Sequence, residues 1–239
     1  MNKPLWSFFF FAAATLLIAL AAMEPGPAFS GGSDSLKVKV PANPPSPYPR
    51  EQDTTLSSGK FLVASRGIKD PRFAEAVIFL VDYSTGGAMG LVINRPSHAK
   101  LSGAFPDLEG LKKRTDLLYI GGPVRIDQMF MLVRSSRKPD DSRHVFSDVY
   151  VSGNRTLLLK MIDKGESGKR LRVFAGYAGW APGQLDREVA LGGWYVMPAD
   201  AETIFEKEPS HIWTELIRRS SLKWIGDEGV PSSPVSQRL

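Results

Sequence analysis

The chain has 239 residues, 43% of them hydrophobic, a formal net charge of +5, a pI of about 9.4 and no cysteine. Disulfides, cysteine-bound metals and a lipid-modified cysteine are thereby excluded. With its three histidines (His98, His144 and His211) far apart and in no His-Glu-x-x-His arrangement, no zinc centre or other cofactor is expected.

The chain opens with Lys3 and an apolar run from Leu5 to Met23, interrupted by Ser7 and Thr15 and ended by Pro25-Gly26-Pro27. This reads as an export segment over 1–23. It fits a cleavable signal peptide, with small residues at Ala19-Leu20-Ala21. It fits equally an uncleaved anchor, which needs roughly 17–25 apolar residues. The expected location is periplasmic or at the cytoplasmic membrane, with the membrane itself a partner through residues 5–23 if the run is uncut. A start at Met23 would instead give a cytoplasmic protein. Removing residues 1–30 takes away Lys3 and Glu24 and leaves +5, so the basicity belongs to the remainder. There it is interleaved with acid: Lys112-Lys113-Arg114 stands beside Glu109 and Asp116, as on an ordinary solvated surface. No helix-turn-helix or aromatic-basic pattern accompanies the charge, so nucleic acid is not an expected partner.

Residues 24–55 carry seven prolines before Arg50 with few apolar residues, the composition of an extended linker. From 56 to 224 the composition is globular and sized for one domain. Phe61-Leu62-Val63-Ala64 and Ala76–Val81 read as buried strands separated by a turn at Asp70-Pro71, and Met89–Ile93 as the hairpin partner of the second. Further strands are expected at 117–120, 129–133, 149–151 and 171–175. Helices are expected at 155–164, from Pro182 to Leu191 with proline at the first helical position, at 200–207, and at 211–219 capped by Ser210. Residues 225–239 read as a disordered tail. Strands and helices do not alternate, so the reading is α+β: a bent, antiparallel or mixed, partly barrel-like sheet flanked by a few helices.

Three glycine-rich corners are the candidate ligand-binding positions. Gly176-Tyr177-Ala178-Gly179-Trp180-Ala181-Pro182-Gly183-Gln184 reads as a strand-to-helix corner. Its glycines would let backbone approach a ligand, Tyr177 and Trp180 would stack on a ring, and Gln184 would bond its edge. Asn94-Arg95 ends a strand, where Arg95 offers a fork for a carboxylate or phosphate. Gly121-Gly122 offers a backbone cradle. The competing reading is structural for all three: glycines for backbone geometry, Trp180 in the core, Gln184 at the helix start, and Arg95 paired with an internal carboxylate such as Glu188. Gly165-Glu166-Ser167-Gly168-Lys169 mimics part of a phosphate loop but has Asp163 where the first glycine belongs and Arg170 where Ser or Thr belongs, so it reads as a turn. No catalytic constellation emerges.

These motifs together carry a resemblance. Gly59-Lys60-Phe61-Leu62-Val63-Ala64, Asp70-Pro71 with Phe73, Gly87-Ala88-Met89-Gly90-Leu91, Asn94-Arg95-Pro96, Gly121-Gly122-Pro123-Val124 and the stretch from Gly176 to Leu185, followed by Glu188 and Trp194, resemble the YqgE/AlgH family over roughly 56–219. The pattern is departed from at Ser65-Arg66-Gly67, where a proline is common, and at Val81-Asp82-Tyr83, where a histidine often precedes the acid. The resemblance implies a compact α+β domain with a bent sheet and no particular reaction. Its relatives look chiefly cytoplasmic or organellar, so with the export segment a cytoplasmic regulatory role, including the transcriptional control suggested for some relatives, does not simply transfer to this chain. The expected function is a non-catalytic regulatory or interaction domain with an unknown protein partner; the alternative is a binder of a small anion or peptide, or a hydrolase, at the glycine-rich corners.

Overall fold

Continuous branched and aromatic runs in this chain are too apolar to leave either face of a strand in water, and they form the centre of the sheet. The computed structural model describes residues 55–225 apart from 107, 113 and 167, with side chains to residue 220. The leader expected at 1–23, the linker at 24–55 and the tail at 225–239 lie outside the described residues but for Thr55 and Ile225. Strands β1 (Lys60–Ala64), β2 (Val77–Ser84) and β3 (Gly87–Val92) pair in antiparallel sequence, β2 and β3 as the expected hairpin. After β4 (Pro96–Lys100) come a short helix α1 (Leu101–Ala104), a 3-10 turn at Glu109–Leu111, then β5 (Leu117–Ile120), β6 (Val124–Arg134), β7 (Arg143–Phe146) and β8 (Val149–Ser152). Helix α2 (Arg155–Asp163) follows Asn154, whose side chain accepts from the Thr156 and Leu157 amides as a helix cap. The chain ends through β9 (Leu171–Trp180), α3 (Gln184–Ala190), β10 (Trp194–Pro198), α4 (Ala201–Phe205) and α5 (Pro209–Ile225).

The strand order is β10-β1-β2-β3-β9-β6-β8-β7, with β5 joined to both β4 and β9. Every pairing is antiparallel except β5 with β9, and the sheet curls into a half-barrel flanked by helices, as the α+β reading expects. Alternation along β6 and β9 sends side chains into two cores on opposite faces. Phe130, Leu132, Phe174, Ala178 and Trp180 join the larger core, built with β1, β2, β3, α4 and α5. Met131, Val133, Leu171, Val173 and Ala175 join the smaller one, sealed by Leu157, Leu158, Met161 and Ile162 of α2. Helix α5 is pinned to β1 by the Trp213 indole, which donates to the Ala64 carbonyl at 2.8 Å.

The structure corrects several local expectations. The stretch from Gly176 to Trp180 is no corner: β9 continues through it, pairing Ala178, Gly179 and Trp180 with Gly90, Met89 and Ala88. The turn comes later, where the Gln184 amide donates to the Ala181 carbonyl and Gly183 takes φ +65°, so α3 starts at Gln184 and not at Pro182. Pro209, having no amide hydrogen to leave unpaired, opens α5 one residue before the expected cap Ser210. Among the described residues no helix is long and apolar enough to cross a membrane.

Candidate functional site

Two of the glycine-rich segments meet backbone to backbone. The Gly121 amide donates to the Ala175 carbonyl at 2.8 Å and its carbonyl accepts from Val92 at 2.9 Å. Gly176, at φ +68°, kinks β9 here. A methyl group at that position would lie 2.6 Å from the Gly122 carbonyl oxygen, and one at Gly121 would lie 2.3 Å from the Gly176 oxygen. Both main-chain groups of Gly121 are thus held by the sheet instead of facing a ligand. Tyr177, half-buried, sets its ring edge-to-face on Phe130 at 5.7 Å, and burial pushes its hydroxyl pKa up. Gly179 is exposed beside the Tyr177 ring.

Asn94 and Arg95 form a second group, turned toward the 70–76 loop. Asn94 accepts from the Val77 amide at 2.8 Å and donates to the Glu75 carbonyl at 2.9 Å. Arg95 donates through Nη1 to the Arg72 carbonyl and through Nη2 to the Ala74 carbonyl at 2.8 Å. The partner expected for Arg95, Glu188, is engaged elsewhere. Because Val77 is fully buried, removing its acceptor leaves a buried donor unpaired. Asn94→Ala is therefore expected to destabilise the domain by about 1–3 kcal/mol, read as a lower urea midpoint at constant slope. An unchanged midpoint would show that the clamp is dispensable.

Trp180, Gln184, Glu188 and Trp194 compose a third group, closed over a carboxylate. Glu188 is buried, and its Oε2 accepts from both indoles, Trp180 at 2.9 Å and Trp194 at 2.8 Å. Its Oε1 accepts from the Gln184 amide at 2.9 Å, and Gln184 in turn accepts from the Ala181 amide. Gly183, exposed, supplies only the left-handed turn.

An open, cation-lined cavity lies elsewhere, between the start of β5, the start of β9 and the 165–169 turn. Its volume is about 280 Å³. Arg114, Asp116, Tyr119, Lys169 and Arg172 line it, with Leu101, Leu117 and Phe205 supplying apolar wall. Arg172 is 8% exposed, and among the described residues its guanidinium makes no ion pair and leaves Nη1 without a hydrogen-bond partner. It rests on the Tyr119 ring, 4.8 Å from the centroid. Burial lowers its pKa below the ordinary arginine value, opposed by the fields of Tyr119 and Glu208. Arg114 is better satisfied: Nε donates to Asp116 at 2.7 Å and Nη2 to the Glu166 carbonyl, while Nη1 is buried and unpartnered. The Arg114 hydrogen bond, outweighing burial, holds the Asp116 carboxyl below its usual range. Burial pushes the Tyr119 hydroxyl up.

Residues 61–224 match the family model described as AlgH-like, DUF179. The chain belongs to the AlgH-like family. A UPF0301 protein of Methylococcus capsulatus is 37% identical over 169 residues, which are 70% of this chain and 92% of the relative. One from Chromobacterium violaceum is 35% identical over 153 residues, 62% and 82% of the two chains. The solution structure of the AlgH protein from Pseudomonas aeruginosa superposes with a TM-score of 0.58 at 27% identity, covering 76% of this chain and all of that one. A crystal structure from Corynebacterium diphtheriae, at 23% identity and a TM-score of 0.59 over 71% of this chain and 89% of its own, shares the fold.

Within this AlgH-like domain the expected site residues fall into three separate groups: the Gly121, Gly122, Tyr177 and Gly179 crossing, the Asn94–Arg95 clamp, and the Trp180–Gln184 cage with Gly183 at its edge. The cavity residues Arg114, Asp116, Tyr119, Lys169 and Arg172 were not among those read from the sequence as candidates. One signal was present: Arg172 is a lone cation inside the apolar strand Leu171–Ala175, at a position that strand periodicity assigns to the interior.

Proposed function

We propose that this domain is a non-catalytic binding module, regulatory in effect, and that it recognises an anionic ligand in the cavity between β5 and β9. Arg172 carries the reading. Desolvating a guanidinium costs several kcal/mol that only good partners offset, and an apolar side chain of similar volume would serve stability better. A stability requirement alone gives no reason for an arginine here; an arriving acceptor does. Anion binding was the second expectation from sequence, and the geometry favours it at this cavity over the glycine-rich segments, where the Gly121 main chain, Asn94, Arg95, Trp180 and Gln184 are engaged within the fold. The titratable groups facing the cavity suit holding charge more than moving a proton. Asp116 is kept ionised against Arg114, and Tyr119 is kept protonated by burial.

Thermal unfolding of the full chain tests this. Phosphate, sulfate and small dicarboxylates, each at ionic strength matched with sodium chloride, should include members that raise the Tm, since a ligand that binds only the folded state stabilises it by RT ln(1 + [L]/Kd). Arg172→Met should abolish that rise while increasing the ligand-free Tm. A chain that no anion stabilises beyond sodium chloride would sink the reading.

A regulatory module needs a receiver, and we place a protein partner in that role, outside the cytoplasmic membrane if residues 1–23 act as a leader or anchor. Cross-linking in cells should capture a protein with the native chain and not with Arg172→Met. Fractionation with intact-mass analysis decides the location, and a soluble cytoplasmic product starting at Met23 would void the exported placement.

A further inference from the structure

We infer that the ligand of the β5–β9 cavity is a small phosphate monoester, held by its phosphate between Arg114 and Arg172 with its short apolar body along Leu101, Leu117 and Phe205. This rests on the binding-module reading above and names the ligand class for it. Three observations lead there. The first is charge. Arg114, Lys169 and Arg172 face the cavity against one lining carboxylate, Asp116, and that carboxylate is already paired with Arg114 at 2.7 Å. The lining residues' excess of two cations, partly offset at Arg172 by the field of Glu208 from outside the cavity, suits a dianion, which a phosphate monoester is at neutral pH with a second pKa of about 6.

The second is direction. Arg114 precedes β5, Lys169 stands in the turn before β9 and Arg172 lies within β9, so donors reach the cavity from separate chain segments. Each guanidinium has a buried Nη1 without an acceptor among the described residues, while Lys169 is exposed. A carboxylate offers two oxygens in one plane. A phosphate group offers three terminal oxygens spread around a tetrahedron, which several donors converging from different sides can share.

The third is size. About 280 Å³ is at the small end of ligand pockets, which begin at about 300 Å³, and is more room than a bare phosphate fills. A bare phosphate would leave the apolar wall, chiefly the exposed Leu117 beside the buried Leu101 and Phe205, facing water. A body of three or four carbons beyond the phosphate fills that remainder without needing a deeper pocket.

Calorimetric titration of the full chain with butyl phosphate, inorganic phosphate and glutarate at constant ionic strength tests the assignment. Butyl phosphate and glutarate have similar heavy-atom counts and the same net charge, but glutarate divides its charge between carboxylates at its two ends, whereas the ester gathers it on one tetrahedral head with an apolar tail. Butyl phosphate is expected to bind at least tenfold more tightly than glutarate, and more tightly than inorganic phosphate, which should compete with it. Arg172→Met should weaken butyl phosphate at least tenfold. Lys169→Met, at the exposed mouth, should weaken it several-fold and reduce its salt dependence; this variant carries the test if Arg172→Met does not fold. Glutarate binding as tightly as butyl phosphate would overturn the ligand class and leave the binding module standing. Inorganic phosphate binding as tightly as the ester would overturn the apolar subsite. Butyl phosphate binding that neither variant weakens would put the site elsewhere, and no binding by any of the three, with no anion raising the Tm, would remove the binding module as well.

Discussion

Gly122→Ala is expected to abolish the native fold or to leave it unfolding more than about 10 °C below the native chain. An alanine methyl there would lie 2.2 Å from the Tyr177 carbonyl carbon, 2.3 Å from its oxygen and 2.4 Å from the Ala178 nitrogen. All three are backbone atoms of β9, the strand at the middle of the sheet. A flexible side chain would turn away, but β9 is held in register by Val124 opposite Tyr177 on one side and by Ala88, Met89 and Gly90 opposite Trp180, Gly179 and Ala178 on the other. Relief requires moving β9 off β3, β6 or both. Ordinary overpacking costs about 1–3 kcal/mol because side chains yield. Displacing ladder backbone adds lost hydrogen bonds, so the loss approaches the roughly 5–15 kcal/mol that holds a domain together. Gly103→Ala is the control: nothing lies within 4 Å of a methyl group there, and its position in α1 predicts a neutral or slightly raised Tm. Circular dichroism melts of the two variants decide it. A Gly122→Ala protein melting within a few degrees of native would mean that β9 and the 121–122 segment have room that this packing denies them.

The same crossing shows what the sequence made legible and what it hid. Strands β1, β2, β3, β5, β6 and β8 could be read because burial on one or both faces demands unbroken or alternating apolar residues, and Lys60–Ala64 is buried at every position. β4 could not: Pro96-Ser97-His98-Ala99-Lys100 is almost wholly exposed and pairs only through its backbone with β5. β7 and β10 stand at the two ends of the strand order, where one neighbour suffices and composition is looser. The far half of β9 was hidden for the opposite reason. Gly176 and Gly179 are turn residues by composition, yet they sit in a strand: at Gly176 the Gly122 and Val124 carbonyls pass too close for a side chain, and Gly179 lies beside the Tyr177 ring. Glycine reports close approach and positive φ alike, and one sequence does not say which. The Asn94–Arg95 clamp was equally hidden, since its carbonyl acceptors at 72, 74 and 75 are main chain and leave no mark in residue identity. Arg172 was the readable exception, a charge where strand periodicity requires burial.

Glu188 should show the reverse of Arg172 when replaced. Arg172 is a buried cation lacking acceptors, whereas Glu188 is a buried carboxylate whose oxygens accept three hydrogen bonds from the neutral donors Trp180, Trp194 and Gln184. Glu188→Ala removes every acceptor at once. Each buried donor left unpaired costs about 1–3 kcal/mol, and the emptied volume adds to it. The terms overlap, so a loss of about 3–5 kcal/mol is expected, or roughly 6–20 °C in Tm at 2–4 °C per kcal/mol. Glu188→Gln is the sharper experiment because it sets two effects against each other. Removing a desolvated charge is favourable in itself. The amide, however, has one oxygen for the two indoles, and its NH₂ faces the Gln184 NH₂. Turning Gln184 over relieves that clash only by pointing its NH₂ at the Ala181 amide, which now donates to Gln184 at 3.1 Å. One donor is left over in either arrangement, so the unpaired donor is expected to outweigh the desolvation gain, with Glu188→Gln falling between native and Glu188→Ala. Tryptophan emission should shift to the red in Glu188→Ala as Trp180 and Trp194 lose their closed site. A Glu188→Gln protein more stable than native would mean that the buried charge, and not its donor set, dominates this network, and would place Glu188 beside Arg172 as a residue that stability alone does not explain.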